Sequence, residues 1–135
     1  MDTIFTRIIK GGISCVRVYE DEHTFAFMDI APAARGHTLV ISKEPYPQLT
    51  DVPDDVLTAV AKTTKLVAQA IVLALHPDGF NIVQNNGAAA GQTVFHYHVH
   101  IIPRWQGDNA LQHWQPGSSD AAELQELADQ IRAQL

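Results

Sequence analysis

The chain has 135 residues, nine basic and fifteen acidic side chains, and a formal charge of −6. That length fits one domain with a core of its own. The acidic balance argues against a nucleic-acid duplex or an anionic membrane as the main partner, because both need a basic face, while a single nucleotide needs only local donors. Cys15 is the only cysteine, which excludes an internal disulfide and any CxxC pair for zinc or redox chemistry. No uninterrupted apolar run reaches the roughly 18 residues needed to cross a bilayer. The opening "MDTIFTRIIKGG" has neither a long apolar stretch nor a cleavage pattern. A cytoplasmic location is the expectation.

In chain order, "DTIFTRII" reads as a short helix or turn stopped by Gly11-Gly12. The β-branched content of residues 13–19 predicts a strand, and "EDEH" a turn. Residues 24–30 and 37–43 predict two more strands, joined by a loop holding Pro32 and Gly36. From Asp51 the period becomes helical. Val56, Val60, Val67 and Ile71 share a face that Leu57, Leu66, Ala70 and Leu73 widen. Thr50 or Asp51 is expected to cap this helix, Pro53 to sit in its first turn, and His76-Pro77 to end it. "FNIVQ" predicts a fourth strand, "NNGAAAG" a loop, and residues 92–102 a fifth strand closed by Pro103. Asp120 and Glu123 form a candidate capping box for a last helix, with Leu124, Leu127, Ile131 and Leu135 on one side. The expectation is a single α+β domain over 1–135, an antiparallel sheet of about five strands with one long helix and a C-terminal helix.

Three of the seven histidines fall in "FHYHVHIIPR", at 96, 98 and 100. On a strand they share one face, leaving Tyr97, Val99 and Ile101 for the core. Three protonated imidazoles in a row repel, so some should be neutral at pH 7, available as nucleophile, base or ligand. A solvated polar face, a metal site completed by His37, and nucleophilic attack on phosphorus are the three readings. The preceding "NNGAAAGQTV" favours phosphorus. Its small residues let backbone N–H groups approach a phosphate, and Gln92 and Thr93 add side-chain donors.

"HYHVHII" resembles the histidine triad (HIT) family of nucleotide hydrolases and transferases, whose pattern is His-φ-His-φ-His-φ-φ with φ apolar. "DTIFTRIIKG", "VYEDEHTFAFMDIAPAARGHTLVISK", "NIVQNNGAAAGQTVFHYHVHIIPR" and "HWQPG" extend the likeness over nearly the whole chain. The resemblance implies the HIT fold, with His98 as the nucleophile that takes a nucleotidyl group at the α-phosphate. It implies that His96 and His100 flank His98 and that His37 supports them. Asp29 would accept hydrogen bonds from the ribose hydroxyls. Ile4, Phe5, Ile8, Phe27 and Ile30 would line the base pocket, and Asn85, Gln92 and Thr93 would hold phosphate and leaving group.

The likeness has departures. Some bacterial relatives hold a structural zinc with Cys-x-x-Cys and a further histidine. Thr3, Thr6 and Pro45 stand at those places here, so no metal and no cofactor is expected. His23 and His76 match no motif, while His113 and Trp114 sit in a C-terminal loop from which Trp114 is a candidate substrate contact. "DTIF" and "HWQPG" lean toward the Hint-like branch, which hydrolyses purine nucleoside phosphoramidates. "AGQTV" and "HIIPR" resemble the branch that cleaves dinucleoside polyphosphates, where Arg104 could reach an extra phosphate. A nucleotide-binding regulatory module with little turnover and a His-x-His metalloprotein are the non-enzyme alternatives. The resemblance also implies a homodimer, with the long helix and a sheet edge at the interface.

Overall fold

A computed structural model describes residues 2–135. Helix α1 (Ile4–Ile9) leads into β1 (Arg17–Glu20), β2 (Thr24–Met28) and β3 (Thr38–Ser42). Helix α2 (Asp54–Leu75), β4 (Gly79–Val83), β5 (His98–Arg104) and α3 (Ala121–Arg132) follow. The five strands form one antiparallel sheet in the order β1-β2-β3-β5-β4. The α+β class and the strand count expected from the sequence are both present.

Alternation along the strands divides the core in two. Ala26, Val40, Val99 and Ile101 point to one face, where Val60, Val67, Ala68 and Ile71 of α2 cover them. Phe25, Phe27, Leu39 and Ile41 point to the other, where Phe5 and Ile8 of α1 pack. Register then places the histidines, because Ile41 pairs with His98 and Leu39 with His100. Both imidazoles therefore stand on the α1 face, beside an apolar floor.

The element ends differ from expectation for identifiable reasons. Residues 13–16 are not strand. β1 is an edge strand whose register breaks between Arg17 and Tyr19, and before it Val16 retains only a carbonyl bond from Met28 N–H at 2.9 Å. The fifth strand begins at His98, not at Gln92, because His96 and Tyr97 bond elsewhere. Tyr97 N–H donates to the Tyr46 carbonyl at 2.6 Å, and His96 uses its ring. Pro103 does not close the strand. It sits inside β5 opposite Phe80, beyond the last β3 pair at Ile101, at an edge position that proline tolerates.

Pro53 itself is the N-cap of α2, and Thr50 and Asp51 lie in a preceding 3₁₀ turn, so neither caps the helix. Asp54 and Asp55 in the first turn complement the helix dipole instead. The C-terminus ends as expected, with His76 left-handed at φ 52° just before Pro77. Leu66, Ala70 and Leu73 do not widen the buried face but lie exposed, while Thr63 and Thr64 are buried. Thr63 Oγ1 meets Thr24 Oγ1 at 2.8 Å and Thr64 donates to the Val60 carbonyl, so both hydroxyls are satisfied. With a mean hydropathy of 1.5 over an 18-residue window, α2 has the length and composition of a membrane span, yet one face is docked on the sheet.

Asp120 caps α3 through Ala122 N–H at 3.2 Å, and Leu124, Leu127, Ile131 and Leu135 form an exposed stripe. The β2–β3 turn needs Gly36. Its φ is +88°, and a Cβ there would lie 2.5 Å from Leu75 Cδ1 and 3.2 Å from Pro103 Cγ.

Candidate active site

His98 is buried on the first residue of β5, and its Nδ1 lies 2.6 Å from the His96 carbonyl oxygen. A carbonyl only accepts, so Nδ1 carries the proton and Nε2 of the neutral ring holds the lone pair. Burial holds this ring's pKa below its ordinary value, against the opposing pull of the His96 bond and the Asp29 charge. The result is an imidazole whose outer nitrogen is basic and unprotonated at neutral pH.

The same reasoning sets His37 and His100. Ala33 N–H donates to His37 Nδ1 at 2.9 Å, so His37 Nε2 bears the proton. That Nε2 lies 2.9 Å from His100 Nδ1, which must accept, and the proton of His100 is left on Nε2. Burial, then the neighbouring His98 and His37, push the pKa of His100 down to about 4. His37 is also held neutral by burial, which outweighs the Asp29 carboxylate 3.5 Å away. Their approach is therefore a contact with a neutral ring. The rings of His98 and His100 lie edge to face at 5.0 Å, presenting a lone pair and an N–H side by side.

His96 does not stand in the ladder, but it projects to the same side. Its Nε2 donates to the Ser42 carbonyl at 2.6 Å, and its Nδ1 faces Thr3 Oγ1 at 3.2 Å. With both nitrogens engaged, its ring has no free N–H for a phosphate, and its backbone carbonyl orients His98. Desolvation holds its pKa low as well.

Asp29 follows β2. Its Oδ1 accepts from Ala31 N–H at 2.8 Å, and its Oδ2 faces His37. Phe5, Ile8 and Phe27 are buried beneath the histidines. Phe5 meets His98 edge-on at 5.0 Å and Phe27 at 5.5 Å, so these residues form a floor. Ile4 is half exposed and Ile30 almost fully so, at 91%, leaving Ile30 with little wall to contribute.

Gln92 does not have the role expected of it. Its Oε1 accepts from Gly87 N–H at 2.7 Å, and its Nε2 donates to the Pro47 and Val94 carbonyls at 2.7 and 3.1 Å. No amide hydrogen is left for a phosphate. Gln92 instead ties down the glycine loop, where Gly91 closes a 3₁₀ turn over Ala88–Ala90 at φ 94°. Thr93 is exposed and Asn85 half-buried against Gly91.

Arg104 is not free for phosphate either. Its guanidinium grips Asp108 through Nε and Nη2, with the shortest contact 2.7 Å, and Nη1 donates to Asn81 at 2.8 Å. Trp114 is exposed in an irregular segment. Sequence reasoning missed the carbonyl of Ser42 and the N–H of Ala33. Backbone groups carry no residue signature, and only the chain pairing brings them to the rings.

The HIT domain family matches residues 10–107. The chain belongs to the HIT family. A Bacillus subtilis HIT protein of known structure superimposes with a TM-score of 0.94 at 36% identity, covering 100% of this chain and 98% of that one. This HIT protein is also 36% identical over 140 residues to adenosine 5'-monophosphoramidase of Schizosaccharomyces pombe, covering all of this chain and 99% of the relative. It is 44% identical over 107 residues to adenylylsulfatase HINT3 of Arabidopsis thaliana. That match takes in 79% of this chain but only 54% of the plant protein, so the chain spans about half its length.

The zinc held by some HIT proteins does not fit this chain. Thr6 Oγ1 donates to Asp2 at 2.7 Å, Thr3 Oγ1 is engaged by Thr6 N–H and His96, and Pro45 offers no ligand. Asp29, His37 and His100 do bring potential ligand atoms within 4.8 Å of one another. His37 Nε2 and His100 Nδ1 are already hydrogen-bonded to each other at 2.9 Å.

Proposed function

We propose that this HIT protein hydrolyses purine nucleoside phosphoramidates, releasing AMP and an amine, through a covalent nucleotidyl-His98. The observation that carries the reading is the 2.6 Å bond from His98 Nδ1 to the His96 carbonyl. It aims the Nε2 lone pair outward and accepts the Nδ1 proton more strongly as the ring becomes cationic. In the first step Nε2 bonds to phosphorus, the P–N bond breaks, and its electron pair leaves with the amine, which takes a proton from solvent. In the second, water attacks phosphorus and gives up a proton to solvent, the P–Nε2 bond returns its electrons to His98, and AMP departs. His100 Nε2–H donates to the phosphoryl oxygens throughout. Asp29 accepts from the ribose hydroxyls, with Phe5, Ile8 and Phe27 as the floor beneath the nucleotide.

The two enzymes to which the chain is similar have names that share an adenylyl group and differ in leaving group. That supports chemistry centred on the adenylyl phosphorus. The commitment of Arg104 to Asp108 and Asn81 leaves that arginine no free donor fork for a longer polyphosphate chain. Measuring AMP release from adenosine 5'-phosphoramidate, beside a dinucleoside polyphosphate, tests the assignment. Faster turnover of the phosphoramidate is expected, and preference for the polyphosphate reverses it.

The proposal includes a homodimer. β4 is a sheet edge, and beside it an open groove of about 730 Å³ is lined by Ala61, Ala68, Val72, Leu73, Phe80 and Ile82. An exposed edge strand next to an apolar helix face is a surface that a second copy can cover by self-complementary pairing.

A further inference from the structure

We propose that Thr3 is a positioning residue for the nucleophile, through a hydroxyl clasp that holds the His96 ring by its lone-pair nitrogen. The clasp begins in a capping box. Thr3 Oγ1 accepts from Thr6 N–H at 3.2 Å, while Thr6 Oγ1 accepts from Thr3 N–H at 2.8 Å. The hydroxyl hydrogen of Thr3 remains, and it points to His96 Nδ1 at 3.2 Å. His96 Nε2 donates to the Ser42 carbonyl at 2.6 Å, so Nδ1 is the lone-pair side of a neutral ring and needs a donor. Thr3 supplies it.

The consequence reaches His98. The carbonyl that orients His98 belongs to His96, which precedes β5 and lacks ladder bonds to hold it. Its side chain holds it instead, pinned by β3 at one nitrogen and by α1 at the other. Phe5 packs edge-on at 5.7 Å. The titratable neighbour facing the ring is His98, and Asp2 connects only through Thr6. Two threonines at the places where some relatives set zinc-binding cysteines thus tie α1 to the catalytic strand without an ion.

This rests on the nucleotidyl-His98 reading for its kinetic arm but not for its spectroscopic one. Three variants separate positioning from helix capping. Thr3→Ser keeps acceptor and donor. Thr3→Val removes both. Thr3→Asp keeps the capping acceptor but places an acceptor-only group against Nδ1, so His96 must take a second proton. Nitrogen-15 spectra of His96 at pH 7 should show an Nε2–H neutral ring in wild type and Thr3→Ser, and an imidazolium in Thr3→Asp with an unchanged melting temperature. On the phosphoramidate, kcat should fall roughly 10–100-fold in Thr3→Val and Thr3→Asp, as misplacement of a reacting group by a fraction of an ångström does, with KM little changed. The pH–rate profile should shift in Thr3→Asp alone. A wild-type His96 that is not the Nε2–H tautomer overturns the proposal. So does a Thr3→Asp enzyme with wild-type kcat and pH profile, which decides the matter even where Thr3→Val does not fold. Wild type that releases no AMP while His96 shows the expected tautomer refutes the activity and leaves the clasp standing.

Discussion

At the scale of single residues, the site is a set of fixed tautomers. Each neutral imidazole has one donor and one acceptor nitrogen, and three backbone groups decide which is which: the carbonyls of Ser42 and His96 and the N–H of Ala33. The ordinary histidine pKa is near 6.5, and burial lowers that of all four. The acid limb of the rate profile should therefore lie below pH 6.5, and a limb above 6.5 would mean that His98 is not held neutral. Stability is linked to the same shifts. Between about 4 and 6.5 the unfolded chain binds a proton at the His100 position that the folded chain does not, so stability is full above 6.5 and is lost as pH falls toward 4. Replacing His100 with Gln should flatten that slope in denaturant titrations at pH 7, 5.5 and 4.5. The three strand histidines were legible as a pattern, and Asp29 only through the family resemblance. The direction of each proton was not, because it depends on main-chain atoms that any residue can supply.

Among the elements, the sequence pattern was most reliable where burial is continuous, on both faces of β2 and β3 and along the Val60–Ile71 stripe of α2. It failed where hydrogen bonds compete with propensity. Residues 92–97 are β-formers by composition, yet Gln92 and His96 spend side-chain bonds holding a loop and a ring, and the ladder starts only at His98. Pro103 looked like a stop because its N–H is missing, but the strand has already outrun β3 there. Gly36 tests how tightly the β2–β3 turn is held between α2 and β5. Gly36→Ala imposes a left-handed conformation on an L-residue and crowds Pro103, so thermal unfolding should show a loss of about 1–3 kcal/mol. A change within experimental scatter would show that the turn relaxes freely. The α1–β5 connection is a second element-scale test. Elemental analysis after dialysis against a chelator should find no stoichiometric zinc and an unchanged melting temperature. One zinc per chain, with stability lost on its removal, would displace the hydroxyl clasp.

The whole molecule is a two-faced sheet. One face carries α2 and most of the apolar core, and the other carries α1 and the histidines on a floor of Phe5, Phe27 and Leu39. Rigid packing from both sides holds the four imidazoles in their relative positions. The apolar surface beside β4 is left uncovered, with Leu73 exposed at 76%. Light scattering of the purified chain should give twice the monomer mass, and Leu73→Glu should shift it to monomer by burying a charge in the interface. A wild-type monomer at micromolar concentration would leave that surface to another partner. The central claim concerns chemistry at His98, and rapid-quench peptide mass spectrometry tests it most directly. Mixed with excess adenosine 5'-phosphoramidate and quenched within the first turnover, the protein should carry an adenylyl group on His98, absent from His98→Ala. AMP formation without that adduct, or an adduct on any other side chain, would contradict it.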